Sequence, residues 1–217
     1  RSSLSIGGTD EDSAIDDPFC RDGKDRPTLR GTGLAGAFFA TWRKTGIAIP
    51  GAFSNPKRDD DPVKDWHGES VLRFWNSHPE RCWHQEAKGL PLEPRQGVGI
   101  RQDTGAARDG ALYDLESTPK GEQWPIVVEL DTWRFFEQKR IPEAYRGQVK
   151  DRDALEAIVE LVLREWQRKR CWIGRGVARG LGWMRLDQLA KIRIGKESAL
   201  DWPNAWLIDN SVRARPQ

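Results

Sequence analysis

Cysteine is scarce in this chain: three in 217 residues, at positions 20, 82 and 171. They are too few and too scattered for a disulfide framework, and they suit a reducing, cytoplasmic setting. Long apolar runs are also missing. None approaches the roughly 20 residues of a membrane-spanning helix, so a soluble protein with no membrane partner is expected. No secretion signal is visible, and the chain begins at Arg1 rather than Met. A missing N-terminus, or one domain of a longer fused polypeptide, is therefore expected. Histidine is limited to His67, His78 and His84, which fall with Cys82 inside 18 residues. That clustering permits a zinc site, but the spacing matches no standard finger, and Trp75 and Trp83 nearby point to local packing.

What is present is enough for a core. Hydrophobic residues make up 37% of the chain and 11 are tryptophan, which excludes a wholly disordered polypeptide. The length favours one domain. The net charge of +2 is small but unevenly spread. Residues 164–193 hold nine basic side chains against Glu165 and Asp187. The first 25 residues hold seven acidic side chains against Arg1, Arg21 and Lys24. One reading is a basic surface for a phosphate backbone beside an acidic cluster for a metal. The plainer one is a solvated helix end and an acidic loop.

The richest local signal is residues 174–182, GRGVARGLG. Gly174, Gly176 and Gly180 let the backbone approach a ligand. Arg175 and Arg179 supply forked donors suited to phosphates. The loop follows a helix and precedes a strand-like run at 183–187. Dinucleotide and Walker loops run strand to helix, and no Gly-Lys-Ser/Thr follows here, which argues against a nucleotide-binding enzyme. A helix cap with tight turns is the plainer alternative.

Periodicity organises the rest. Leu155, Ile158, Val159, Val162 and Trp166 share one face of a helix over 153–168, with Asp153 and Glu156 as a capping box. Leu34, Ala37, Phe38 and Trp42 share one face of a helix over 33–44. Gly31-Thr32-Gly33 precedes it and directs backbone N–H groups at a second candidate anion site. Residues 1–8 read as a strand end. Runs at 111–116 and 124–130 alternate and suggest an antiparallel hairpin turning at 119–121, entered by a polar arm at 99–110. Residues 51–97 read as an irregular insertion with a short helix at 69–75, and the last 20 residues as loop. The order β-α-β-β-α-β fits an α+β, ferredoxin-like (RRM-like) sheet in a single domain.

Four segments, in order, resemble the RAMP superfamily of CRISPR-associated proteins, and more narrowly the backbone subunits of type III effector complexes. The first is SIGGTDEDSAIDDPFCRD at 5–22, similar to a strand ending in Gly, a loop, then Asp-x-Pro and Arg/Lys-Asp. The second is LRGTGLAGAFF at 29–39, similar to the family's glycine-rich helix start; Ala35 and Phe39 stand where the family has Lys and often Arg, and Arg43 lies one turn later on the same face. The third is GIRQDTGAARDGALYDLE at 99–116, similar to the thumb β-hairpin near 98–117, with Arg101 and Arg108 flanking a small-residue tip. The fourth is the 174–182 loop.

The resemblance implies guide CRISPR RNA, target RNA and other RAMP subunits as partners. It implies RNA contacts at Gly31, Thr32, Gly33, Arg43, Arg101, Arg108, Gly174, Arg175, Gly176, Arg179 and Gly180. It places the catalytic aspartate of target-cleaving members at Asp16, or at Asp17 if the register slips. Cleavage by 2′-hydroxyl attack needs proton transfer or charge stabilisation. One carboxylate can provide this, with Mg²⁺ or another divalent cation drawn by Asp10, Glu11, Asp12, Asp16 and Asp17. A guide-RNA-binding RAMP subunit that does not cut is the alternative. Without the resemblance, Asp-Asp-Pro is an ordinary turn.

Overall fold

The computed structural model describes residues 2–8, 14–49, 53, 70–80, 90–137, 141–190 and 205–208. Mixed helices and small sheets make up the fold. In the central sheet, β1 (Leu72–Phe74) and β7 (Ala205–Ile208) both pair antiparallel with β4 (Ile126–Leu130), the middle strand. Ile126, Val128 and Leu130 of β4 are buried. Glu129 is buried too, and its carboxylate accepts from Arg73 Nη1 at 2.9 Å and Trp75 Nε1 at 3.3 Å. Those donors offset the cost of taking a charge out of water.

The two expected helices form close to their expected bounds, as α1 (Gly31–Lys44) and α4 (Arg152–Gln167). Asp151, rather than Asp153, caps α4: its carboxylate accepts from the Ala154 N–H at 2.8 Å. Asp153 sits in the first turn, where its charge suits the positive end of the helix. α1 turns Leu34, Phe38, Thr41 and Trp42 inward, and α4 turns Leu155, Val159, Val162, Leu163 and Trp166. They meet at Phe38, whose ring stands edge-on to Trp42 and Trp166 at 5.8 and 6.0 Å. Trp166 Nε1 donates to Thr41 Oγ1 at 2.9 Å, so this core indole keeps its hydrogen bond. Phe38 and Phe74, 5.2 Å apart, seat α1 over β1. Two short helices, α2 (Thr132–Phe136) and α3 (Glu143–Arg146), deliver Phe135 and Tyr145 to the same core.

Strand partners differ from the expectation. The run at 111–116 does not pair with 126–130. It belongs to β3 (Ala107–Ser117), which pairs with β2 (Glu93–Ile100) in a separate two-stranded hairpin. Alternation identifies a strand and its faces but not its neighbour. Most of β3 is exposed and only its base, Leu115 to Ser117, is buried, so it projects instead of joining the sheet. Residues 99–110 are therefore strand ends and a tight turn rather than a free arm. The expected helix at 69–75 is instead β1 over residues 72–74, and residues 205–208 form β7 rather than loop. β5 (Cys171–Trp172) and β6 (Trp183–Met184) flank the glycine loop, which is thus a hairpin connection and not a direct helix-to-strand link.

His78 has a packing role: Nδ1 lies 3.1 Å from Thr28 Oγ1 and 3.2 Å from Pro27 O. His67, Cys82 and His84 lie outside the described residues, and the zinc reading with them. No helix among the described residues is long and apolar enough to cross a membrane.

Candidate nucleic-acid interface

Residues 2–8 form an extended strip around which the site is built. On one side, the Ser3 and Ser5 carbonyls accept from Gly182 N and Arg175 N, both at 2.8 Å. On the other, the Leu4 and Ile6 carbonyls accept from Thr118 N at 2.8 Å and Cys20 N at 2.7 Å. Partners alternate from residue to residue, as along a strand. The strip therefore joins the glycine loop to the base of the β2–β3 hairpin.

Glycine is needed at two positions, one at that junction and one within the loop's own hairpin. Gly174 and Gly182 have φ of +87° and +72°. A Cβ would lie 2.2 Å from Ser5 O at Gly174 and 2.0 Å from Ile173 O at Gly182. These two glycines serve the protein's own backbone. Gly176 and Gly180 bracket an exposed 3₁₀ turn, Val177–Arg179.

The loop's arginines reach the acidic segment and the hairpin. The Arg175 guanidinium occupies the place where a side chain at Gly7 would be, and it pairs with Asp17 Oδ1. Arg179 lies over the Tyr113 ring, 5.0 Å from its centroid. Tyr113 in turn fills the space above Gly97 on the facing strand. Both arginines remain exposed.

Asp16 and Asp17 are stitched to β3. Asp17 N donates to Asp114 O, and Glu116 N donates to Asp17 O, each at 3.0 Å. The exposed Asp16 carboxylate accepts from Asp114 N at 3.0 Å, which orients it. Two residues on, Phe19 N donates to the buried Glu116 carboxylate at 2.7 Å, and Arg21 Nη2 meets that carboxylate at 2.9 Å. Asp22 closes the next turn. Its carboxylate accepts from Lys24 N and Arg26 N, both at 2.9 Å, and from Arg26 Nη2 at 2.7 Å. Partial burial alone would raise the Asp22 pKa, but these donors and the Arg26 charge hold it down at about 2. The Arg-Asp pair of the first motif is thus a brace behind Asp16.

Other expected contacts lie apart from this centre. Gly31 N donates to Asn76 Oδ1 at 2.8 Å and Gly33 N to Arg30 O at 2.9 Å. Thr32 and Gly33 are exposed at the start of α1, whose first turn carries no acidic residue. Arg43 sits at the far end of α1, about 18 Å along its axis. Arg101 and Arg108 flank the hairpin turn, and Arg108 is about 23 Å up β3 from Leu115, the bridge partner of Asp17. The structure therefore joins Asp16, Asp17, Arg175 and Arg179 and sets the remaining residues around them.

Three participants were not foreseen: Tyr113, Asp114 and Glu116. The alternation of β3 was visible, but not that the Asp-Asp-Pro segment would lie along it. Asp10, Glu11 and Asp12 lie outside the described residues. Among the described residues, no three His, Cys, Asp or Glu side chains are grouped to hold a metal.

Comparison with known proteins gives a consistent picture. The sequence profile of the RAMP superfamily matches residues 1–185. Two solved chains share the fold at a TM-score of 0.53 and 12% identity, covering 83% of this chain and 91% of theirs. One is from type III-B Cmr-beta in the apo state, the other from Cmr-beta bound to cognate target RNA; both were solved by cryo-EM. Comparison with curated proteins gives no match.

Proposed function

Because the chain belongs to the RAMP superfamily, we propose that it is a guide-RNA-binding backbone subunit, or domain, of a type III CRISPR effector. In this reading it binds complementary target RNA, assembles with other RAMP subunits, and cuts the target at Asp16. Its core is read as ferredoxin-like, with the β2–β3 hairpin as the thumb. The observation that carries the proposal is the Arg175–Asp17 pair, which links residues 158 positions apart. It sets a phosphate-suited loop beside the loop of the candidate catalytic carboxylate.

The chemistry follows from that placement. RNA phosphates would exchange with Asp17 for Arg175, whose fork suits a phosphate edge. Asp16, held by the Asp114 N–H, would accept the proton of a 2′-hydroxyl as its oxygen attacks the adjacent phosphorus and the 5′-oxygen departs. Arg175 would stabilise the charge on the non-bridging oxygens. A divalent cation belongs to the expected chemistry, but among the described residues no three His, Cys, Asp or Glu side chains are grouped to hold one.

The test is an assembled complex with guide RNA and complementary target. With Asp16→Ala, cleavage should fall by about 100-fold or more while target affinity is unchanged. Full cleavage by both Asp16→Ala and Asp17→Ala complexes would leave the non-cutting, guide-binding role instead.

A further inference from the structure

A second recess lies away from the Asp16 loop. A cavity of about 320 Å³ is lined by Lys120, Lys169, Trp183 and Arg185. They come from three segments: the turn before β4, the residues just past α4, and β6 with the residue after it. Among the described residues no acidic side chain lines the cavity, although Arg185 Nε pairs with Asp187 Oδ1 at 2.5 Å. Glu165, the acidic residue of the α4 end, is already taken by Arg168 and Arg170 at 2.7 and 2.6 Å. Lys120 and Lys169 have no ion-pair partner among the described residues.

Two details shape this wall. Lys169 has a φ of +66°, a left-handed conformation that glycine or asparagine adopts at lower cost. Its carbonyl accepts from Trp183 Nε1 at 2.8 Å. That bond uses the only polar group of the indole, so Trp183 offers the cavity apolar ring surface. Cations converging beside a ring surface suit a ligand that is both anionic and flat. The volume is at the lower end of ligand-sized cavities, about 300–1,000 Å³.

We propose that this cavity is a nucleotide site, with the phosphate held by Lys120, Lys169 and Arg185 and the base stacked on Trp183. The site is separate from the candidate cleavage centre. Trp183 pairs with Ser2 at the start of the N-terminal strip, through Ser2 N to Trp183 O at 3.3 Å. Arg175 and Asp17 meet at Gly7, five residues along, about 16 Å away at strand spacing. The ligand is either a free nucleotide or one unit of a single-stranded RNA, and the same chemistry serves both. The proposal does not depend on cleavage at Asp16.

The experiment titrates the whole protein with 2-aminopurine ribonucleoside 5′-monophosphate and, separately, with a single-stranded RNA pentamer carrying one 2-aminopurine. Stacking on Trp183 should quench the probe saturably. Lys120→Gln with Lys169→Gly should weaken binding at least tenfold, and Trp183→Leu should abolish the quench. Lys169→Gly relieves the left-handed backbone, so its melting temperature should not fall and its lost affinity is not unfolding. Quenching by the monophosphate supports a free nucleotide, and by the pentamer alone a strand unit. No saturable quench with either probe, or one unaltered in the double lysine variant, overturns the proposal.

Discussion

Asp22 illustrates how one carboxylate can hold a functional loop without touching a ligand. Four of its acceptor contacts run to Lys24 and Arg26, and its pKa is held at about 2, below the ordinary aspartate value of about 3.8. Because the folded value is depressed, its contribution to stability is complete above the unfolded pKa and is lost as pH falls from about 4 to about 2. Asp22→Asn should therefore lower the melting temperature at pH 7, and the difference from wild type should shrink steadily as pH falls from about 4 toward 2. Thermal melts across that range check this. Asp16 contrasts with it, being exposed, with one oxygen oriented by a backbone N–H and no ion-pair partner among the described residues. The motif that reads as one unit in sequence thus divides into a candidate catalytic residue and a brace.

At the scale of elements, the helices were legible and the sheet was not. The faces of α1 and α4 follow a 3.6-residue period that only a helix satisfies, so Leu34, Phe38, Trp42, Val159 and Trp166 could be placed in the core beforehand. Strand identity was visible in the alternation of 111–116 and 126–130, but strand partnership was not, because it depends on which backbone edges meet. The glycine loop shows the same limit. Its composition suggested ligand contact at Gly174, Gly176 and Gly180, yet Gly174 is required by the approach of Ser5 O in the chain's own strip, as Gly182 is by the approach of Ile173 O. Gly174→Ala should cost about 2 kcal/mol or more, from left-handed strain and the contact with Ser5 O. Urea unfolding of the variant measures it, and reduced guide-RNA affinity should accompany it as the strip and loop part.

Across the whole molecule, the candidate site exists only where segments distant in the chain meet. The strip at 2–8, the segment at 16–22, the hairpin base and the loop at 174–182 come together in one place. The hairpin tip with Arg101 and Arg108, and the start of α1, lie apart from that place; under the proposed function they would extend it into a surface for a charged strand. Arg175→Glu plus Arg179→Glu should weaken guide RNA uniformly across sequences and make log Kd less salt-dependent, by a slope of about 1.4 for two lost single-strand phosphate contacts. Filter binding at several salt concentrations measures both effects. The sequence by itself determined the two core helices, the glycine-arginine loop, the acidic segment and their family likeness, because each is written in local spacing and residue type. Only the tertiary structure decided which strands pair, which glycines serve packing, and that Asp17 meets Arg175. Those outcomes depend on contacts between residues distant in the chain, and local periodicity carries no information about them.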